Sequence, residues 1–499
     1  MRATFDAFTA ATPPRFQMSP VEAHRDSDGL DPAIWKISSV VVLGSFLAQL
    51  DATVVNVSLS TLAAELHSSL AAIQWVTSGY LLALTLILPL NGWLVDRIGA
   101  KSLYLWCFST FTLSSVLCAF SWSANSLVGF RVLQGMSGGL LAPMAQMMMA
   151  RHAGKHMVRV MGYGAVPILF APILGPVIAG AILQYASWRW LFLINLPFGI
   201  LAIVLAVLIL PKDHKELRPR DLDLVGLALL SPGLVLFLYG ANNLGNRIGL
   251  GALILSIALL ATFFSTAAKK GDKALIDLRL FKGKIFSASV VTQFMANGIM
   301  FAGQMLIPIY LIRACGLSPS ATGWLLAPLG LGMMCCYPLL GTLTKRFGIR
   351  RVSAGGALLA FAGTLPFLYL ASHGLVLAVL ASALFIRGIG LSAVSMPSIA
   401  SAYASVKRHE LPMATTALNI IQRLGGPTLT TLCATFLGWR LASAHPNDAA
   451  VGPFAAAFLL LCAFHALSFA AAMRLPLSLP KAAERPVTEV PDVLENISN

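Results

Sequence analysis

Asp51 is the residue from which a chemistry can be argued. It stands midway in an apolar run from about Ile37 to Ser58, within the stretch FLAQLDATVVNVSL that spans 46–59. Such a run is long enough to cross a bilayer, which takes about 20 residues. A charge at that depth costs at least about 2.5–3.5 kcal/mol, so it needs a partner, a water-filled cavity, or a proton to take up and release. Burial favours a neutral acid and a nearby cation favours a carboxylate. A group that alternates between those surroundings loads and unloads a proton. The residues leave a second reading open, a fixed ion pair or helix cap. Arg131, inside a later apolar run, is the natural counter-charge, and Gln134 follows one helical turn on along the same side. Arg387 and Arg423 also fall inside apolar runs, where snorkelling or lipid contact is as open as a functional role.

One other pattern carries chemistry. Gly135-Met-Ser137-Gly138-Gly139 satisfies the GxSxG pattern of serine hydrolases. A serine nucleophile needs a histidine base, and only His465 lies well inside a span. The pattern also needs a strand-to-helix turn, which the surrounding apolar run does not offer. Small residues serve helix packing equally well, so an intramembrane hydrolase is a remote alternative and no enzyme is expected.

To hold Asp51 and Arg131 at depth the chain must be largely membrane helix. Of 499 residues 57% are hydrophobic and 11% charged, against about 25% charged in soluble domains. Ten-residue alternating strands are absent, which argues against a barrel. Fourteen spans are predicted: about 37–58, 74–94, 103–122, 124–149, 158–183, 190–210, 224–242 and 248–267, then six beginning near Ile285, Ala321, Val352, Leu375, Met413 and Phe454. In alternate loops, 21 Lys and Arg fall on one side and four on the other, namely Arg189, Arg247, Arg313 and Arg440. By the positive-inside rule both termini are cytoplasmic. The same distribution accounts for the net charge of +15 without a nucleic-acid surface.

The seven cysteines form no CxxC pair and read as small buried hydrophobes, with neither disulfides nor a metal site expected. No cleavable signal is expected at the N-terminus. Asn496-Ile-Ser498 matches a glycosylation sequon but falls on the cytoplasmic side. No GxxxxGK[ST] loop is present, so drive by ATP is not supported.

The chain repeats itself. Gly92-Trp-Leu-Val-Asp96-Arg97-Ile-Gly99-Ala-Lys101 returns as Gly341-Thr-Leu-Thr-Lys345-Arg346-Phe-Gly348-Ile-Arg350. Phe130-Arg131 followed by Pro143 is echoed by Phe385-Ile-Arg387 followed by Pro397. The expected organisation is a tail (1–36), a six-helix half (37–210), a linker with two extra spans (211–284), a second six-helix half (285–475) and a tail (476–499). Both tails are expected to be disordered, the first apart from a short helix before the membrane. Paired halves around a midplane site are the architecture of secondary transporters.

From about Trp35 to Leu475 these residues resemble the major facilitator superfamily, in its fourteen-helix drug:proton antiporter branch (EmrB/QacA-type multidrug exporters). The resemblance rests on Leu50-Asp51-Ala-Thr-Val-Val-Asn56-Val, on Gly92 to Lys101, on Arg131-Val-Leu-Gln134-Gly135, and on Pro172-Ile-Leu-Gly175-Pro176-Val-Ile-Ala179-Gly180. The last departs mildly from the family pattern, which ends in Gly-Gly. Ser187-Trp-Arg-Trp190 and Asn195-Leu-Pro197 also fit.

The resemblance implies export of lipophilic, often cationic, drugs or toxic compounds in exchange for protons, across a plasma (inner) membrane, with no cofactor beyond the proton gradient. It implies a proton relay through Asp51, Arg131 and Gln134. It implies a cytoplasmic latch between the halves at Gly92, Asp96, Arg97, Gly99 and Lys101, and a leak-limiting helix at Pro172, Gly175, Pro176 and Gly180. Plain loop topology and ordinary helix packing remain open for the last two. Gln49, Asn56, Asn297 and Gln304 are candidate cavity residues, with Phe46, Trp75, Gln293, Met300 and Asn419 beside them. Where the source has an outer membrane, a periplasmic adaptor and an outer-membrane channel are implied partners. A dedicated exporter of one metabolite or siderophore is the alternative, because fold does not fix substrate.

Overall fold

The computed structural model describes residues 32–153, 156–211, 221–443 and 451–478. The expected tail disorder, the Asn496 sequon and the loop holding Lys212, Lys215, Arg218 and Arg220 lie outside the described residues. Fourteen long helical spans account for most of the chain. They are α1 (Pro32–Val57), α2 (Leu70–Ile98), α3 (Ala100–Ala119), α4 (Ala124–Ala153), α5 (Met157–Tyr185), α6 (Trp190–Ile209) and α7 (Leu224–Asn242). The rest are α8 (Arg247–Lys270), α9 (Lys284–Arg313), α10 (Ala321–Phe347), α11 (Ile349–His373), α12 (Leu377–Ala404), α13 (Leu411–Ala442) and α14 (Val451–Ala472). Among the described residues there is no strand.

Length and apolarity alone pick out twelve of these as able to cross a membrane. The two left out, α4 and α13, carry Arg131 with Gln134, and Gln422 with Arg423. They are the spans with most polar groups to hide, and α4 buries most of its surface against other helices. A helix screened from lipid by its neighbours tolerates a polar stripe that a lipid-facing helix does not.

The internal repeat is a structural one. Gly99 between α2 and α3 has φ +88° and Gly348 between α10 and α11 has φ +85°. The left-handed region costs other residues about 1–2 kcal/mol, which explains why both copies place glycine there. The basic residue two positions later does the same work in each copy. Lys101 Nζ donates to the carbonyls of Val207 and Leu210, 2.8 and 2.6 Å away, past the end of α6. Arg350 Nε donates to Leu475 O at 2.6 Å, past the end of α14. Each satisfies carbonyls that a helix C-terminus leaves without a donor. Each thereby ties the repeat loop to the last helix of its own half.

The buried side chains form three main apolar cores. One is confined to the first half and includes Val54, Ile73, Leu127 and Phe192. One is confined to the second half and includes Leu306, Phe367, Leu384 and Phe458. The third joins the halves, bringing Met144 and Met148 of α4 together with Tyr337, Tyr403, Leu411 and Leu418. It lies at the ends of the helices that carry the basic loops. The halves are therefore fused on that side, while the separate cores lie toward the other.

Of the inserted pair, α7 packs against α2 and α13 and so covers the seam between the halves along one side, while α8 packs on the outside of α7. Its base is fixed by Asp223. The carboxylate caps α7 through Gly226 N at 2.9 Å, accepts from Leu275 N at 3.1 Å, and pairs with Lys270 Nζ at 2.5 Å. Burial pushes this carboxyl up, but Lys270 and the two backbone donors outweigh it and hold it below the usual range. A depressed folded value means the contribution is complete above the unfolded value of about 3.9 and is lost as pH falls through the lower, folded one. Asp223→Asn is expected to lower the thermal midpoint of the purified protein near neutral pH. The loss should shrink as pH falls below about 4. A pH series of melting curves for both proteins checks this.

Candidate functional site

Four helices converge on Asp51, which has no exposed side-chain surface. α4 supplies Arg131, whose Nη1 donates to Asp51 Oδ2 at 2.5 Å and to Gln134 Oε1 at 2.8 Å. Gln134 Nε2 donates to Asp51 Oδ1 at 3.3 Å. The spacing of these two residues along one helix face is what lets both reach a single carboxylate. α6 supplies Asn195, whose Nδ2 donates to Asp51 Oδ1 at 2.7 Å and to Ser115 Oγ of α3 at 3.0 Å. Ser115 in turn donates to Phe192 O at 2.9 Å.

The guanidinium is held from its other faces as well. Arg131 Nε donates to Val76 O at 3.3 Å, and the group lies 4.2 Å from the centre of the Tyr80 ring. Arg131 Nη2, Asn195 Oδ1 and Tyr80 Oη are buried without a hydrogen-bond partner among the described residues. The carboxylate thus has three side-chain donors around it, while a donor and an acceptor beside it remain unused. Such a network accepts a change of protonation without new groups having to arrive.

The sequence alone does not mark Asn195 and Ser115 as members of this network. The available signal is a carboxamide at the head of an otherwise apolar span, Asn195-Leu-Pro197. The second half repeats the arrangement with different chemistry. Arg387 of α12 donates to Thr364 Oγ1 of α11 at 2.8 Å and to Ile299 O of α9 at 3.1 Å. Thr364 Oγ1 in turn lies 3.0 Å from His465 Nε2 of α14. Thr364 lies on the helix that corresponds to that of Ser115, and His465 on the helix that corresponds to that of Asn195 but at a deeper position. A backbone carbonyl takes the place of Asp51.

The repeat loops lie across the seam. Gly92 faces the start of α13, and a methyl group there would come within 3.1 Å of Pro412 O and 3.2 Å of Thr416 Oγ1. Next to it Asn91 Nδ2 donates to Thr416 Oγ1 at 3.4 Å. Gly341 packs against Arg159 of α5, so each copy meets the opposite half. Arg97 lies over the Trp93 ring at 5.2 Å, and Asp96 is half-buried beside it. The two Lys101 bonds described above anchor the loop to α6 within its own half, while the Gly92 end meets the opposite half. Above the loops, Gln146 of α4 accepts from Tyr403 Oη at 2.9 Å and from Asn419 Nδ2 at 3.1 Å, both from the second half.

In α5, Gly175 touches Thr53, two residues on from Asp51, and Thr53 Oγ1 donates to Ala171 O at 3.2 Å. Pro172 and Pro176 lie in the same helix, and Pro176 is exposed. Gly180 has open space around it, so it is not a packing position as its neighbour Gly175 is. Of the expected cavity residues, Gln49, Asn56 and Gln304 are exposed and Asn297 is half-exposed. Gln293 instead is buried, bonded to Ser395 O, Ser398 Oγ and Gln422. Ser137 donates to Gln134 O at 2.9 Å within an unbroken helix. All seven cysteines are free, but Cys335 is exposed and Cys315 half-buried, contrary to the expectation that all are core residues.

The model of the family described as the Major Facilitator Superfamily matches residues 41–429, and again 285–491. The chain belongs to this superfamily. It is 34% identical over 421 residues to the multidrug resistance protein B homolog of Mycobacterium tuberculosis, covering 83% of this chain and 78% of that one. It is 32% identical over 329 residues to a putative multidrug resistance protein, MdtD, of Citrobacter koseri, covering 64% and 69%. Among solved structures, the human organic anion transporter MFSD10 superposes with a TM-score of 0.62 at 16% identity, covering 89% of this chain and 100% of the other. The proton:xylose symporter XylE does so with a TM-score of 0.57 at 15% identity, covering 86% and 94%. These likenesses carry the fold. The chain is a membrane transporter of this superfamily and not an enzyme.

The buried pair sets an expectation for stability. Asp51→Asn leaves Arg131 without its counter-charge, and removing one partner of a buried pair costs about 3–5 kcal/mol. The double variant Asp51→Asn/Arg131→Gln is expected to lose less than the sum of its two single changes. Unfolding of the four purified proteins in the same detergent closes that cycle.

Proposed function

We propose that this protein is a proton-driven exporter of lipophilic drugs or toxic compounds, working by alternating access across the plasma (inner) membrane. One observation carries the reading. Asp51, the one acid away from the helix ends of the described spans, is paired with Arg131 in a network with an unused donor and an unused acceptor among the described residues. A group meant only to staple two helices is better served by full satisfaction of every polar atom. Relatives that are named for multidrug resistance support export of such compounds.

The arrangement of the cores supports the alternating step. Here the halves are joined on the side of the basic loops, and the exposed Gln49, Asn56 and Gln304 lie toward the other ends of α1 and α9. With the basic loops and both termini in the cytoplasm, this is the outward-open state. Asp51 has no exposed surface in it, so a proton reaches the carboxylate only when α1 and α4 shift. Protonation removes the attraction that holds Arg131 to α1, and the freed guanidinium lowers the cost of rearranging the first half. One charge moved inward at 100 mV is worth about 2.3 kcal/mol, enough to favour export strongly.

The test uses proteoliposomes with an imposed pH gradient. Wild type is expected to move a lipophilic dye and protons in opposite directions, and Asp51→Asn to lose coupled movement while still binding the dye. Coupled movement that survives unchanged in Asp51→Asn would show that another group carries the proton.

A further inference from the structure

The charges inside the spans bear on what the cavity takes. Away from the helix ends the described spans hold one acid, Asp51, and three arginines, Arg131, Arg387 and Arg423. Asp51 and Arg131 neutralise each other. Arg387 is 1% exposed and held by Thr364 and Ile299. Arg423 differs from both. It has no hydrogen bond and no acidic partner among the described residues, and it is only partly buried. It lies about 18 Å along α13 from the start of that helix, at 1.5 Å per residue, which is near the bilayer midplane.

The surroundings of Arg423 place it at the seam. It sits in a closed crevice, too narrow here for a water molecule and opened only as the seam parts, walled by Thr85 and Leu88 of α2, Leu234 and Leu238 of α7, and Ile420 and Leu424 of α13. One to two turns back along the same face, Asn419 and Thr416 bond across to α4 and α2 of the first half. Arg423 is thus the first residue on that face beyond the sealed side, where the halves begin to part. α7 screens it from lipid with two leucines. Tyr80 of α2 lies within electrostatic reach of it, and the Tyr80 hydroxyl has no hydrogen-bond partner among the described residues.

We propose that Arg423 binds an anionic group, a carboxylate or similar oxyanion, on a lipophilic compound carried by this protein. The inference rests on the transporter reading and specifies its substrate class. A cation would find no carboxylate at this depth, since away from the helix ends the described spans hold only Asp51, sealed behind Arg131 with no exposed surface. An uncompensated guanidinium at this depth is costly, and an anion bound there recovers part of that cost. The fork of donors suits a planar carboxylate, and the leucine wall suits an apolar body attached to it. Proton and substrate then share no atom, and their mutual exclusion acts through opening and closing of the seam.

The experiment measures equilibrium binding to the purified full-length protein without any gradient. It therefore reports on Arg423 whether or not transport is proton-driven. The probes are carboxyfluorescein, its methyl ester and ethidium. Wild type is expected to bind the carboxylate more tightly than the ester. Arg423→Gln should weaken carboxylate binding about tenfold, the size of one charge-assisted contact, and leave the ester unchanged. Arg423→Lys should retain part of the preference, and its ester binding reports that the fold is intact. The proposal falls if ethidium binds best, or if Arg423→Gln weakens all three probes equally. It also falls if phosphatidylglycerol binds in an Arg423-dependent way and carboxyfluorescein does not, for the site would then hold lipid.

Discussion

A carboxylate and a guanidinium can be kept in the middle of a membrane only together. Separated, each would carry an uncompensated charge into a medium that offers no water. The 2.5 Å contact between Asp51 and Arg131 therefore fixes much of the first half. α1 and α4 must meet at that depth. α6 must bring Asn195 to the second oxygen, and α3 must bring Ser115 to orient Asn195. Tyr80 closes the guanidinium from the side of α2. Five helices are located by one pair of charges, and what remains of their surfaces is apolar packing. Protonation of that carboxylate would remove the attraction, so specification and the proposed switching share the same atoms.

The second half shows what the fold does without the acid. Arg387, Thr364 and His465 occupy the corresponding helices, and Ile299 O stands in for the missing carboxylate. Gly303 is pressed against the guanidinium, which leaves no room for a side chain there. This half holds its arginine by hydrogen bonds to neutral acceptors, which a change of protonation at a carboxylate cannot break. Duplication has kept the geometry and confined the lone intramembrane carboxylate to one copy. The halves are thus asymmetric: the first holds its arginine through a carboxylate, and the second through neutral acceptors.

Much of this is readable in the residues, for identifiable reasons. Apolar runs mark membrane helices because lipid tolerates little else. Even α4 and α13, too polar to qualify by apolarity, are located by the repeat and by the alternation of basic loops. Asp51, Arg131 and Gln134 are legible because a charge at depth demands an explanation and because a spacing of three residues puts two side chains on one face. Asn195 and Ser115 are not, since a single carboxamide or hydroxyl in a span satisfies itself locally often enough to carry no signal. Lys101 reads with the latch, yet its bonds run to the end of α6, and only coordinates reveal which carbonyls a loop lysine meets. Gly180 belongs to the same motif as Gly175 but touches nothing, which the pattern of small residues does not foretell.

The seam between the halves explains why a transporter can be stable and still move. The joined core on the basic side is apolar and is crossed by polar contacts such as Gln146 with Tyr403 and Asn419, and Asn91 with Thr416. Hydrogen bonds between neutral side chains contribute only about 0.5–1.5 kcal/mol each, so parting them is not prohibitive. Apolar contact contributes more, and it is exchanged rather than lost if the two separate cores close on the far side as the joined one opens. Helix α7 packs along the seam against α2 and α13. Such an exchange costs little overall only when no charge is stranded on either side. The buried pair is compensated within the first half, and Arg387 within the second. Arg423 stands at the line where the halves part, and it is the charge that the moving surface leaves to be met by whatever the protein carries.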